Sequence, residues 1–314
     1  MLTKPLAVSI WSFHDSIFAG RLTAVDALTL AAGMGFTSVE FNDLFATAPR
    51  PPLWLRAARR VHRFVERHLP RRLPAPGVVQ RPRHYQPALV EQITRAAEQA
   101  GVRFASWTLD SNLTATGQGL SAQRRYWQRG LETAGALGAE VMRITTGGPM
   151  AGRAAHIDAA LAQSANALTE LTNLAERAGL IVAVENHWGL SADPARLAEL
   201  IQRVEAPRER LGVCLDFGNF PAGTQLAGIQ LLAPLAVHVH AKSYSFGPDG
   251  EEQRLPYGPI LRTLAAAGYR GWLVVEFEGD GDPEVGVRAT RALIERHCLD
   301  GPPAAHEVTR PRRP

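Results

Sequence analysis

The sequence predicts a single (β/α)8 barrel spanning residues 1–300, and three observations support this prediction. Short apolar runs alternate with longer stretches of helical periodicity, and this alternation occurs eight times. Glycines such as Gly101 and Gly138 recur where a helix would turn into the next strand. The chain has 314 residues and 46% hydrophobic residues, which is enough to bury the core of such a barrel.

The predicted elements follow one another in the expected order. The predicted strands are Leu6–Trp11, Ser38–Asn42, Val102–Leu109, Glu140–Thr145, Val182–His187, Leu211–Asp216, 235–242 and Gly271–Glu276. The predicted helices are Thr23–Met34, Gln86–Ala100, Gln118–Leu137, Ala154–Ala178, a helix that starts after Asp193, Gln225–Leu232, Tyr257–Ala267 and Asp282–His297. Asp193 followed by Pro194 is typical of a helix start, and Gly179 is typical of a helix end.

Two segments depart from this alternation. Residues 50–84 hold ten arginines and one acidic residue, Glu66, and end in a proline-rich stretch. We expect an insertion on the loop after strand two, on the barrel face where active sites lie. A solvated surface helix would explain its composition, but we interpret it as a lid or subunit contact that attracts an anionic substrate. Residues 301–314 are rich in proline and arginine and predict a disordered tail.

Charge and cysteine content restrict the function classes. The net charge is +4, but the basic residues are concentrated in 50–84, which argues against a generally cationic surface for nucleic acid. Cys214 and Cys298 cannot form a disulfide framework, and Cys214 reads as a small core residue. The first residues lack the pattern of a signal peptide. We therefore expect a cytoplasmic protein that binds neither membranes nor nucleic acid.

Four later strands each end in a side chain that can bind a metal. Because side chains alternate across a strand, each of these four points into the barrel, and the carboxyl ends of all strands meet around one opening. The four residues are Glu185, Asp216, His240 and Glu276. One acid at a strand end is often only a helix cap, but caps do not explain four inward residues on consecutive strands. The mixed carboxylate and imidazole set predicts one divalent ion: Mn, Mg, Co, Fe or Zn.

Other inward residues are candidates for binding and catalysis. Lys242 shares the parity of His240 and lies farther out, where a cation could neutralise an enolate or bind a phosphate. His238 lies one layer deeper, which is typical of a core or supporting histidine. Arg143 is explained equally well as a structural ion-pair partner. The residues that we assign to substrate binding are Glu40, Trp107, Arg143, His187 and Asn219.

Four motifs in this region resemble those of a known superfamily. They are Glu-Asn-His at 185–187, Leu-Asp-Phe-Gly-Asn-Phe at 215–220, His-Val-His-Ala-Lys at 238–242 and Glu-Phe-Glu-Gly at 276–279. They resemble the xylose-isomerase-like TIM barrels of sugar (phosphate) isomerases and epimerases, a superfamily that also contains inosose dehydratases and apurinic-site endonucleases. The resemblance covers residues 5–297, apart from the unmatched segment 50–84. It implies that Glu185, Asp216, His240 and Glu276 bind the metal, and that the two glutamates also act as acid and base.

The resemblance implies a metal-dependent isomerase or epimerase that acts on a sugar, keto sugar or sugar phosphate through a metal-bound enediolate. Its catalytic residues would be Glu185, Glu276 and Lys242, its partner would be a small-molecule carbohydrate, and a homo-oligomer is left open. Asn219 departs from the epimerase pattern, which has a histidine three residues after the aspartate of strand six. An asparagine can bind a hydroxyl group but cannot shuttle a proton near pH 7.

Two other activities use similar barrels. A metal-dependent lyase or dehydratase acting on a keto sugar, keto inositol or 3-keto glycoside would form the same enolate and then expel a β-substituent. An apurinic-site endonuclease is a weaker alternative, because its three-metal cluster needs further histidines. Glu40, Trp107 and Asn219 stand at the corresponding places.

Overall fold

The computed structural model describes residues 6–47, 57, 61, 82–207, 209–221 and 223–299. Its eight strands are all parallel and close into a barrel in chain order, with β8 paired to β1. The strands are β1 Ala7–Ser9, β2 Ser38–Asn42, β3 Arg103–Leu109, β4 Val141–Ile144, β5 Ile181–Glu185, β6 Leu211–Asp216, β7 Ala236–Ser243 and β8 Trp272–Phe277. The predicted fold class is confirmed.

Helices surround the strands and connect them. In the described residues they are α1 His14–Phe18, α2 Ala24–Gly33, α3 Pro87–Ala100, α4 Gly117–Ala136, α5 Ala154–Arg177, α6 Pro194–Arg203, α7 Gln225–Leu232, α8 Tyr257–Ala266 and α9 Pro283–Leu299. Their ends follow local chemistry. Thr23 and Asp26 form a reciprocal capping box before α2, and Asp193 accepts from the first backbone N–H groups of α6.

Two strands differ from the prediction in ways that matter for the site. β1 ends at Ser9 because the Ser9 hydroxyl accepts the N–H of Trp11 at 3.3 Å, which starts a 3-10 turn at Ile10–Phe13. This turn overlaps the last two residues of the predicted strand, and α1 lies before the predicted helix Thr23–Met34. β5 ends at Glu185, so His187 lies in the following loop.

The barrel interior has an apolar floor. The residues that form it are Ala7, Ala105, Val141, Ala183, Cys214, Trp272 and Val274. On three strands a candidate ligand stands two positions beyond a floor residue, since Glu185 follows Ala183, Asp216 follows Cys214 and Glu276 follows Val274. Side chains two apart share a face, so the ligands lie directly above this floor. Cys214 is buried there, as predicted for a core residue.

Some predictions concern residues beyond this description. The proposed insertion at 50–84 lies largely outside the described residues, as does the tail at 301–314. Among the residues with assigned structure, none of the helices is both long enough and apolar enough to cross a bilayer.

Candidate metal centre

The four candidate ligands meet at one nitrogen of His240. Its Nδ1 lies 3.3 Å from Glu185 Oε1, 3.7 Å from Asp216 Oδ2 and 3.8 Å from Glu276 Oε2. All four side chains are buried. Four different strands deliver them, so barrel closure brings together residues that are far apart in the sequence.

This arrangement fits a divalent ion. Ligand atoms bound at about 2.1 Å stand about 3–3.5 Å from one another in tetrahedral or octahedral geometry. His240 Nδ1 has this separation from Glu185 and stands slightly farther from Asp216 and Glu276. Ligand atoms of Glu185, Asp216 and His240 lie within 4.8 Å of one another, and Glu276 joins His240 and Glu40 in a second such group. His240 Nδ1 is buried and has no hydrogen-bond partner among the described residues. A buried ring nitrogen of this kind is costly unless a ligand satisfies it. Carboxylates with one imidazole suit Mn²⁺, Mg²⁺, Fe²⁺, Co²⁺ or Zn²⁺.

Glu40 lies beneath His240 and fixes the orientation of its ring. Its Oε2 stands 2.9 Å from His240 Nε2 and 3.0 Å from His238 Nε2, and it also accepts from Ser106 at 2.7 Å. The other oxygen accepts from Ser9 at 3.0 Å. Burial favours the neutral acid, but the two histidines outweigh it and hold the pKa of Glu40 well below its ordinary value. An ionised Glu40 only accepts, so His240 donates through Nε2, and its Nδ1 faces the three carboxylates.

The end of β6 is held by a second set of bonds. Asp216 Oδ1 accepts the N–H groups of Gly218 at 2.7 Å and Asn219 at 2.9 Å, which leaves Oδ2 for the metal site. Asn186 accepts the Asp216 N–H at 2.7 Å and donates to its carbonyl at 3.0 Å. These two hydrogen bonds fix the end of β5 against β6. Sequence reasoning did not single out Asn186, although it stands between two candidate residues.

Lys242 is buried against the same carboxylates. Its Nζ lies 3.0 Å from Asp216 Oδ2, 3.0 Å from Glu276 Oε2 and 3.4 Å from Glu278 Oε2. A Cβ at Gly218 would come within 2.8 Å of the lysine stem, so glycine makes room for it. Glu278 was not predicted as a site residue. Its spacing could have identified it, because Glu278 stands two residues after Glu276 and residues two apart on a strand share a face.

Arg143 reaches the centre from β4. Its Nε stands 3.2 Å from Glu185 Oε2, and its Nη1 donates to Asp110 Oδ1 at 3.4 Å. Asp110 also accepts from Arg83 at 2.6 Å, and Arg83 in turn pairs with the fully buried Asp43. A chain of alternating charges therefore runs from Asp43 to Glu185. Arg143 thus has the ion-pair role considered for it above, and the sequence did not reveal its partners.

Comparison with known proteins places this barrel in a family. A family model described as xylose isomerase-like TIM barrel matches residues 28–297. The chain belongs to this family. Over 115 residues it is 30% identical to the 3'-dehydrocarminate deglycosidase alpha subunit of a Microbacterium species, a match that covers 32% of each chain. Over 140 residues it is 30% identical to the rhizopine catabolism protein MocC of Rhizobium meliloti, covering 35% of this chain and 42% of that one.

The chain therefore matches only about a third to two fifths of the length of these curated relatives. Among solved structures, the xylose isomerase-like barrel described here is similar to an L-ribulose 3-epimerase. The TM-score is 0.66 at 13% identity, with 98% of this chain and 99% of that chain covered. At this identity the likeness shows a common fold.

The remaining predicted site residues divide into two groups. Asn219 lies at the centre, where its amide donates to Glu185 Oε1 at 3.1 Å. His187 is half-buried, and its Nδ1 has no hydrogen-bond partner among the described residues. Burial lowers its pKa below the ordinary histidine value, which keeps the ring neutral. Both residues can meet a ligand.

Trp107 lies elsewhere. It is fully buried in the layer between strands and helices, where it stacks on Phe41 with ring centroids 5.4 Å apart. Its neighbour Ser106 is the residue that points inward, toward Glu40. The pairing of β2 with β3 shifts by one residue at this point, since Val39 pairs with Phe104 and Glu40 with Ser106. Alternation from Ala105 is therefore interrupted, and the outward position of Trp107 argues against its predicted contact with substrate.

The pKa values of the two glutamates of the centre are shifted in opposite directions. Burial favours the neutral form of Glu185, but Arg143 and His187 outweigh burial and lower its pKa. For Glu276, burial dominates over the attraction of Lys242 and raises the pKa to about 7. Two carboxyl groups with separated pKa values are typical of an acid and base pair.

Proposed function

We propose that this chain is a divalent-metal-dependent isomerase or epimerase that removes and returns a proton next to the carbonyl group of a sugar or keto sugar. The proposal rests on one observation: three carboxylates converge on Nδ1 of His240, whose Nε2 is tied to Glu40. The four metal residues would be Glu185, Asp216, His240 and Glu276. Membership of the xylose isomerase-like family supports a carbohydrate substrate.

A divalent ion held by these residues would act as a Lewis acid that acidifies the proton next to a carbonyl group. Glu185 and Glu276 arrive from β5 and β8 and face a common space. In our proposal one of them removes the proton and the other returns it on the opposite face. Arg143 and Asn219 each hold one oxygen of Glu185, which fixes its direction.

Two further side chains would act on the substrate. Lys242 would offset the negative charge of the enediolate, a contribution that commonly amounts to about 3–4 kcal/mol per donor removed. His187 presents a neutral imidazole that can bond a hydroxyl group. Glu40, whose oxygens are occupied by serine and histidine donors, is assigned a role in positioning His240 in place of the substrate contact first expected.

A lyase is the second candidate, and Asn219 favours it. The epimerase pattern has a histidine here, whereas Asn219 bonds Glu185 and cannot carry a proton near pH 7. In a lyase, the same proton removal would be followed by loss of a β-substituent, assisted by an acid such as Glu276. The relative from Microbacterium is named as a deglycosidase subunit, which is compatible with such an elimination.

Turnover in deuterium oxide separates these reactions. The manganese-loaded protein is incubated with free keto sugars and 3-keto glycosides, and products are followed by NMR, with Glu276→Gln as the inactive control. Deuterium at an inverted carbon, or an aldose and ketose interchange, supports the isomerase or epimerase. Loss of the β-substituent with an enone product supports the lyase. Turnover of an α-deuterated substrate with full retention of label at its carbon would contradict proton abstraction.

A further inference from the structure

Two positions for a cation share the same carboxylate oxygens. Asp216 Oδ2 and Glu276 Oε2 are the oxygens that face His240 Nδ1, at 3.7 and 3.8 Å. The same two oxygens lie 3.0 Å from Lys242 Nζ. The other Asp216 oxygen is occupied by two backbone N–H groups, so it offers no alternative. A metal ion and the lysine ammonium would therefore bind to the same two negatively charged oxygens.

Lys242 has a third acidic neighbour on its outer side. Glu278 Oε2 stands 3.4 Å from its Nζ, and Glu278 Oε1 is fixed by the indole N–H of Trp11 at 2.7 Å. The Glu278 side chain is 28% exposed, whereas that of Lys242 is 4% exposed, so Glu278 lies toward the mouth of the barrel. The ammonium is thus placed between two metal residues inside and one anchored carboxylate outside.

We propose that Lys242 weakens divalent-ion binding by competing for Asp216 and Glu276. Glu278 is the positioning residue that reduces this competition, because it holds the ammonium group on the side away from the ion. The inference rests on the proposed metal centre. Like charges repel when they share ligands, and the repulsion is strong where water is excluded. Glu278 gives the ammonium a partner away from the ion, toward the space that a substrate would enter. Without Glu278, the partners that Lys242 keeps among the described residues are the shared carboxylates and Asn219.

The test is manganese affinity, measured by calorimetry after a chelator has removed bound metal from the full chain. Lys242→Met and Lys242→Gln should bind Mn²⁺ more tightly than wild type, on the order of tenfold. Lys242→Arg keeps the charge and should stay near wild type. Glu278→Gln should bind more weakly by a similar factor. In the Lys242→Met background, Glu278→Gln should change little, because its effect acts through the lysine.

Each outcome bears on the proposal separately from the metal centre. Unchanged or weaker binding in both uncharged lysine variants, with native circular dichroism, would overturn it. A full Glu278→Gln effect in the Lys242→Met background would show that Glu278 acts on the ion directly, and would overturn its positioning role. A wild-type chain that binds no stoichiometric manganese would refute the metal centre itself. One ion in wild type and none in Asp216→Ala would leave that centre standing whatever the lysine variants do.

Discussion

At the scale of single residues, the centre depends on how each ligand is held from behind. Glu40 bonds both histidines of β7, so it determines which nitrogen of His240 faces the carboxylates. Asn186 and the N–H groups after β6 hold Asp216 so that its Oδ2 faces His240. These supporting contacts leave His240 Nδ1 and Asp216 Oδ2 directed to a common point. The ligands are therefore positioned before any ion arrives, which lowers the ordering cost of binding.

Glu40→Gln tests this support. Its amide has a single acceptor oxygen for two imidazole and two hydroxyl donors, so the orientation of His240 is no longer fixed. We expect manganese affinity to fall about 10- to 100-fold, as calorimetry would measure. Ser106→Ala is the matched control, because it removes one hydrogen bond to Glu40 and keeps the carboxylate, and it should cost stability of only about 1 kcal/mol. Wild-type affinity in Glu40→Gln would remove Glu40 from the account.

At the scale of elements, buried charge pairs tie the strand ends together. Arg83, just before α3, bridges Asp43 after β2 and Asp110 after β3, and Asp43 also accepts from Tyr126 of α4 at 2.5 Å. Arg143 of β4 continues the pairing to Glu185 of β5. The network therefore joins four neighbouring strands to the segment that follows residues 50–81.

Arg83→Met should destabilise the barrel strongly. It leaves the Asp43 and Asp110 carboxylates buried with less compensation, and breaking such a pair costs about 3–5 kcal/mol. Chemical denaturation measures the loss of unfolding free energy. Arg124→Met is the matched control, because it breaks an exposed pair with Glu170 that solvent screens, and it should leave the free energy of unfolding nearly unchanged. Equal losses in the two variants would show that the buried network contributes nothing special.

Much of this site could be predicted from the sequence because strand alternation is a local rule. Alternation placed Glu185, Asp216, His240 and Glu276 on one face, and barrel closure then brought them together. Contacts between distant parts of the chain follow no such rule. The pairing of Lys242 with Glu278 and of Arg143 with Asp110 depends on side-chain reach between the ends of adjacent strands. Trp107 was selected for its place near a strand end, and an irregularity in the pairing of β2 with β3, which the sequence does not reveal, directs it to the outer layer.

At the scale of the whole molecule, the barrel is closed independently of residues 50–81. The chain on either side of that segment is joined, since Gln86 donates its backbone N–H to Ala46 at 3.0 Å and its side-chain amide to Thr47 at 2.8 Å. The interpretation of the segment as a lid or subunit contact stays a prediction. Its ends are close enough for a short linker to replace it.

Replacing residues 50–81 with a short glycine and serine linker, while keeping Arg83, should leave the barrel folded. If the segment covers the site or joins subunits, the KM for substrate or the mass in solution should change. Circular dichroism and light scattering measure the fold and the mass, and steady-state kinetics measures KM. An unchanged KM together with an unchanged mass would refute both roles.

The central claim is that Glu185, Asp216, His240 and Glu276 form one metal site. Elemental analysis of protein reconstituted with manganese and freed of excess metal tests it most directly, with Asp216→Ala as the variant. Asp193→Asn is the control, because Asp193 caps α6 and asparagine also caps helices well. We expect one ion per chain in wild type and in the control, and none in Asp216→Ala. Stoichiometric manganese retained by Asp216→Ala would contradict it.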